Sequence, residues 1–262
     1  MRSDDERERL RQTFGAAAER YDRTRPSYPG VMLDRLAELG GLAPGDRVLE
    51  IGCGTGQLTR SLVARGYRVT AVELSEDLAA VARRNVPEAE VITGDFEQWP
   101  LPDEPFAAVA AATSFHWIDP AVQFTKTAAA LRPGGALAII GTAHVDGGSS
   151  EFFVEVQKCY ERWDPEHTRP DLRLAKAESI KDDFDVTPGG FFERVGTARE
   201  VVEVPYDTES YLDLLQTFSG HLALPPERLD GLLGCIRDLI DDRYDGRVIK
   251  ANLFRMVVGR KR

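Results

Sequence analysis

Cysteine and histidine are scarce in this 262-residue chain, and the few present do not cluster. The three cysteines, Cys53, Cys159 and Cys235, lie far apart with no Cys-x-x-Cys pair, so neither a disulfide framework nor a zinc knuckle is expected. The histidines, His116, His144, His167 and His221, lack the His-Glu-x-x-His spacing of a helical metal site, and no metal is expected. No apolar run approaches the roughly 20 residues of a membrane span, which argues against a membrane partner. The first residues, Met1 to Arg7, are charged and carry no apolar stretch of a secretory signal, so a cytoplasmic protein is expected. Positive charge is short as well: 33 Lys and Arg stand against 43 Asp and Glu, a net charge of −10. That balance opposes a nucleic-acid partner, which needs a basic footprint to displace counterions, and favours a small molecule.

What is present is the composition of an ordinary globular chain, 42% hydrophobic, long enough for one large α/β domain with insertions. Short apolar runs alternate with helical stretches between residues 46 and 142, the pattern of a parallel sheet covered on both faces. Strands are expected at 47–51, 67–73, 90–93, 106–112 and 136–142. Ser75 caps the second intervening helix, and Asp119-Pro120 starts the fourth with an N-cap and an N1 proline. Upstream, helices are expected at 5–21 and 31–39, broken by Arg25-Pro26-Ser27-Tyr28-Pro29-Gly30. Downstream, strands at 197–204 and 248–258 flank helices at 208–218 and 226–243. The expected fold is α/β, a doubly wound, seven-stranded, mostly parallel sheet with N-terminal helices and a helical cap. Its parts are a leader (1–40), an α/β core (41–145), and cap insertions with the last two strands (146–262).

The densest signal is Val48-Leu49-Glu50-Ile51-Gly52-Cys53-Gly54-Thr55-Gly56-Gln57, a buried strand running into three alternate glycines. Glycine tolerates positive φ and has no Cβ, so such a turn lets a ligand approach bare backbone at a helix start. The spacing is not the Gly-x-Gly-x-x-Gly of nicotinamide and flavin sites, and no Gly-Lys-Ser/Thr follows, so a P-loop is not expected. Cys53 reads either as a reactive thiol or as a small residue in a crowded turn. Three further features end successive strands, where open α/β sheets bind ligands. Glu73 offers a carboxylate to a ribose diol. Gly94-Asp95-Phe96-Glu97 offers an acidic acceptor and an aromatic face to a purine. Ala112-Thr113-Ser114-Phe115-His116-Trp117 adds a polar and aromatic cluster.

These motifs together resemble the class I S-adenosylmethionine-dependent methyltransferases. Residues 48–56 match that family's first motif, and Leu131-Arg132-Pro133-Gly134-Gly135 matches the turn before its fifth strand. Phe115-His116-Trp117 resembles an element of the small-molecule branch that includes trans-aconitate methyltransferase. One departure is Phe106-Ala107-Ala108-Val109, where the family often has Phe-Asp-x-Val. The resemblance implies S-adenosylmethionine as cofactor, held by Tyr21, Arg25, Gly52, Cys53, Gly54, Thr55, Gly56, Gln57, Glu73, Leu74, Asp95, Phe96, Thr113, Phe115 and Trp117. Its methionine carboxylate is expected near the glycine loop, its ribose on Glu73, and its adenine between Asp95 and Phe96. Tyr21 and Arg25 are expected to fold over the methionine end.

Each residue also has a plainer reading: Glu73 as a solvated strand end, Asp95 as a turn former, Phe96 and Trp117 as core aromatics, Tyr21 and Arg25 as helix-end residues. His116 is the candidate catalytic residue, read as a general base, an orienting donor or a structural group, with His221 behind it. The expected partner is a small-molecule methyl acceptor, O- or C-methylated, bound by a monomer or homodimer. Its pocket is expected within 147–247, where Arg169, Arg173, Phe191, Phe192, Phe218 and His221 are lid candidates. Residues 176–185 read as a solvated face. A nicotinamide-dependent reductase and a non-catalytic cofactor-binding protein are the competing classes.

Overall fold

A computed structural model describes residues 18–182 and 184–262. In chain order the elements of the core are α1 (Ala18–Thr24), α2 (Gly30–Gly40), β1 (Arg47–Ile51), α3 (Gln57–Val63), β2 (Arg68–Glu73), α4 (Glu76–Asn85), β3 (Glu90–Thr93), β4 (Phe106–Ala112), α5 (Pro120–Ala130) and β5 (Leu131–Gly148). The cap and sheet edge follow: α6 (Ser150–Glu155), α7 (Gln157–Trp163), β6 (Phe192–Asp207), α8 (Thr208–Leu215), α9 (Ser219–Leu222), α10 (Pro226–Arg243) and β7 (Arg247–Lys261). The expected first helix survives as α1 from Ala18 onward; residues 5–17 of it lie outside the described residues.

One seven-stranded sheet has the order β3-β2-β1-β4-β5-β7-β6. The first five strands are parallel, while β7 runs antiparallel to both β5 and β6. The strands are added outward in one direction from β1 to β3 and in the other from β4, so the strand order reverses between β1 and β4, and the crevice there is where such a sheet accepts a ligand.

Side-chain alternation divides the core into two layers. Val48, Val69, Ala108, Ala110, Ala138, Ile140 and Met256 point to one face, where Met32, Leu33 and Leu36 of α2 and Leu58 and Leu62 of α3 cover them. Leu49, Ile51, Val72, Val109, Ala111, Leu137, Ile139 and Val257 point to the other, against Ala128 and Ala130 of α5. The period of two is that of a strand, and the apolar residue at nearly every position reflects burial on both faces. The helix starts also follow local chemistry. Ser75 Oγ accepts from Leu78 N–H at 3.4 Å, and Asp119 Oδ1 accepts from Ala121 N–H at 2.9 Å ahead of Pro120.

Three expectations change. β5 begins at Leu131 rather than at 136, because Leu131 pairs with Phe106 and Ala136 with Ala108, so the Arg132-Pro133-Gly134-Gly135 turn is a bulge inside the strand. Residues 176–185 are not simply a solvated face. Phe184 packs on the sheet against Gly141, Arg255 stacks over its ring at 5.0 Å, and Arg199 pairs with Asp182. Finally, Cys159 on α7 and Cys235 on α10 form a disulfide with Cα atoms 5.7 Å apart, although their sequence separation is 76. Wide spacing hid the pair because cap folding, not local chain geometry, brings the two helices together. The bond crosses a separate apolar core of Phe152, Phe153, Tyr211, Leu212, Leu232 and Ile236.

Candidate functional site

The glycine loop leaves β1 with Gly52, Gly54 and Gly56 at φ of 70°, 60° and 94°. At Gly52 the requirement is steric as well as conformational: a Cβ there would stand 2.6 Å from that of Ser114. Ser114 is held in place by donating its hydroxyl to the Ile51 carbonyl. The β1 and β4 ends are thereby locked together at the crevice.

The loop is also tied to β2. Glu73 accepts from Gly54 N–H at 2.9 Å with one carboxylate oxygen and from Ser75 N–H at 3.0 Å with the other. Gly52 N–H goes to the Val72 carbonyl and Gly56 N–H to that of Cys53. The N–H groups of all three glycines therefore serve the fold. Their contribution to a ligand is the absence of side chains.

A cavity of about 280 Å³ opens over this loop. Its walls include Tyr21, Arg25, Gly52, Cys53, Gly54, Gln57, Glu73, Leu74, Asp95, Phe96, Thr113, His116 and Trp117, all anticipated from sequence. Three anticipated residues lie off it. Thr55 is fully buried with its carbonyl bound by Asn85; Gly56 packs on Ala82 and Val86; Phe115 turns into the core against Phe124. Glu97 and Ser114, which stood in the quoted motifs without a role of their own, line it too, and the residues missed by sequence reasoning include Tyr28, Glu50, Leu58, Leu78 and Ile118. Glu50 sits within the motif itself, where a carboxylate inside a buried strand was the available signal. Tyr28 lies in the proline-rich break, which has no period to read.

A second cavity of about 670 Å³ lies between the sheet and the cap. It shares Tyr21, Arg25, Tyr28, Gln57 and Thr113 with the first. Arg25 is clamped in that common wall: its guanidinium stacks over Tyr21 at 4.8 Å and Phe218 at 4.4 Å, and its Nε donates to Thr217 at 3.1 Å. Thr113 occupies the left-handed region at φ 56°, a strain that non-glycine residues adopt where surrounding structure enforces it.

Residues 48–135 match the family model for the methyltransferase domain. Over 157 residues the chain is 33% identical to an uncharacterized methyltransferase of Geobacillus thermodenitrificans, covering 58% of this chain and 72% of that protein. The chain belongs to the methyltransferase family. An uncharacterized methyltransferase of Mycobacterium bovis is 41% identical over 128 residues, 49% of this chain and 51% of that protein. The chain thus spans about half the length of the mycobacterial relatives it matches. A solved structure from Anaeromyxobacter dehalogenans, named for a type II methyltransferase, superposes with a TM-score of 0.62 at 23% identity. It covers 90% of this chain and 97% of that one, a likeness of fold.

Electrostatics separate the two cavities. The smaller holds Glu50, Glu73, Asp95 and Glu97 against Arg25. Burial pushes the Glu50 carboxyl up to about 8, opposed by a 2.7 Å hydrogen bond from Thr59 and reinforced by Glu73. Burial also raises Glu73, while the Ser75 and Gly54 amides pull it back. Cys53 is buried beside these acids and its thiol is raised well above the ordinary range, which fits the small-residue reading. Asp95 does form a turn, accepting from Glu97 N–H at 2.9 Å, and it lines the cavity as well.

The lid candidates divide. Arg169, Phe218 and His221 line the larger cavity. Arg173 is exposed, Phe192 is buried in the sheet core, and Phe191 packs beside it, so these three do not. His116 is exposed on the smaller cavity, its ring 4.9 Å from Trp117. His144 and His221 line the larger one. Among the described residues no cluster fit for a metal ion exists, and no helix is long and apolar enough to cross a membrane.

Proposed function

We propose that this chain transfers the methyl group of S-adenosylmethionine to a small-molecule acceptor seated in the larger cavity. The observation that carries this reading is the common wall: a donor cleft over the family's glycine loop opens, past Tyr21, Arg25 and Thr113, onto a second cavity under the cap. When bound, S-adenosylmethionine supplies a methyl group activated by a sulfonium cation.

The donor cleft suits that molecule by charge and shape. Glu73 retains free lone pairs for a ribose diol, Asp95 and Phe96 line the same cleft for an adenine, and Leu74 adds an apolar edge. Asp95 and Glu97 line the cleft on the side of a cationic ligand, and Tyr21 and Tyr28 lie where ring faces stabilise a cation by ~0.5 to 2 kcal/mol. The protein's principal task is alignment, since placing acceptor and methyl in line contributes up to ~7 to 11 kcal/mol in favourable intramolecular models. Gln57, Thr113 and Tyr28 shape the doorway through which that line passes.

Carboxyl and hydroxyl acceptors, methylated at oxygen, or an acidic carbon fit this arrangement best. A carboxylate needs no base. A hydroxyl or carbon acid does, and His116 on the donor side and His221 on the acceptor side are the candidates. Burial holds His221 neutral, and its Nε2 lies 2.9 Å from the Tyr160 hydroxyl. Replacing the base lowers turnover by about 10² to 10⁴; near-normal rates for both His116→Ala and His221→Ala across the pH range remove a base from the scheme.

The donor assignment is tested by calorimetry with S-adenosylhomocysteine. Glu73→Ala loses a charged acceptor at the cleft and lowers affinity by about tenfold or more. Unchanged affinity in Glu73→Ala and in Gly54→Val, or preferential binding of NADPH by the wild type, overturns the assignment.

A further inference from the structure

The larger cavity has the opposite electrostatic character to the donor cleft. Its walls hold Lys250 and Arg25, with Arg169 at an exposed position, and a single carboxylate, Asp164. Asp164 is already engaged by His167 at 2.8 Å. Lys250 Nζ reaches only the neutral Asn252 amide oxygen, at 2.7 Å, and Arg25 only Thr217 among hydrogen-bond acceptors. Neither cation has a carboxylate partner among the described residues, whereas arginines elsewhere on the surface pair freely.

Unpaired cations inside a protein are costly. Burial and the nearby Arg25 push the Lys250 ammonium down to about 8, and Lys250 in turn helps burial push His144 down to about 3. Two imidazole nitrogens of the same cavity, His144 Nε2 and His221 Nδ1, are buried without a hydrogen-bond partner among the described residues. A network left open in this way, two cations and two polar nitrogens around one space, is complete only with a negatively charged, hydrogen-bonding occupant. Beside it lies an apolar lining of Phe153, Leu172, Leu174, Leu214, Leu215 and Phe218.

We propose that the acceptor is a small organic anion with an apolar body, its negative head held by Lys250 with Arg25 beside it, and that Lys250 sets this charge preference. The proposal rests on the reading of the larger cavity as the acceptor's. Carboxylate and phosphate heads share the chemistry that Lys250 recognises.

The test is calorimetry on the full chain, with and without saturating S-adenosylhomocysteine, using phenylacetate, its neutral counterpart phenylacetamide, and phenyl phosphate as probes. Both anions bind, phenylacetamide at least about tenfold more weakly, and the ratio of the two anions distinguishes a carboxylate from a phosphate head. Lys250→Met costs the anions about tenfold or more and leaves phenylacetamide and S-adenosylhomocysteine unchanged, while Lys250→Arg retains most of the anion affinity. Equal binding of phenylacetate and phenylacetamide by the wild type, wild-type anion affinity in Lys250→Met, or no anion binding at millimolar concentration overturns the proposal. Failure of S-adenosylhomocysteine to bind, with anion selectivity intact, strikes the donor reading alone. The wild-type comparison of charged and neutral probes needs no folded variant.

Discussion

Glu50 offers a quantitative check on the electrostatics of the donor cleft. Its carboxyl is 1% exposed, is ordinarily half-protonated at 4.5, and in the folded chain is pushed up to about 8. The folded state therefore binds a proton that the unfolded state has released, and folding stability must fall as pH rises between those two values. The sign is that of a raised acid: the contribution is complete below about 4.5 and is lost by about 8. Each pH unit across the window costs about 1.4 kcal/mol from this one group. Glu50→Gln removes the titration yet preserves an oxygen that accepts the Thr59 hydroxyl, now 2.7 Å away. Urea unfolding of wild type and variant at several pH values reads the effect. The variant's advantage grows by about 1.4 kcal/mol per unit through neutrality and levels off near pH 8. A difference that is independent of pH refutes a protonated Glu50 in the folded chain.

Three further outcomes follow from local geometry. Gly52→Ala places a Cβ 2.6 Å from that of Ser114 at φ 70°, which lowers stability by about 2 to 4 kcal/mol in chemical denaturation. Adding Ser114→Gly recovers the steric part but not the conformational part. Breaking the Cys159–Cys235 bond, which closes 76 residues of sequence separation, costs about 4 to 5 kcal/mol by loop entropy, read as a drop in the cap's thermal midpoint on reduction. Peptide mapping without reductant recovers the two cysteines as one linked species, and recovery of both as free thiols from freshly made protein contradicts the pairing. Lys250→Met, freed of a desolvated ammonium, melts above wild type without ligand; a lower midpoint signals that the Asn252 contact outweighs the burial cost.

The donor half was legible because its chemistry is local in sequence. Gly52, Gly54 and Gly56 are needed at fixed offsets from a buried strand, and Glu73 and Asp95 end the next two strands, so spacing alone lines them up. Strand alternation likewise exposed the sheet, down to β3 and β4 at their observed bounds. The acceptor half was not legible for the converse reason. Lys250 lies on β7, His144 on β5, Tyr160 on α7 and Arg25 before α2, and only the late pairing of β7 between β5 and β6 brings them around one space. Phe191 and Phe192, conspicuous in sequence, belong instead to the sheet core. Cys159 and Cys235 show the same blindness, since contacts of long separation leave no period or motif behind.

Arg25 links the two cavities. It stands in the wall between an acid-lined cleft and a cation-lined cavity, and it is held there by both sides: Tyr21 from the leader, Phe218 and Thr217 from the cap. The leader is bound to the cap elsewhere too, by Arg20 and Arg23 on Asp213 and by the Tyr206 hydroxyl on the Thr24 carbonyl. A cation in this position helps to push the Lys250 ammonium down, so an anion bound between the two relieves both charges. Arg25 lines both cavities, so a ligand that shifts it from one side alters affinity on the other by the same factor in both directions, which calorimetry of each ligand with and without the other reads.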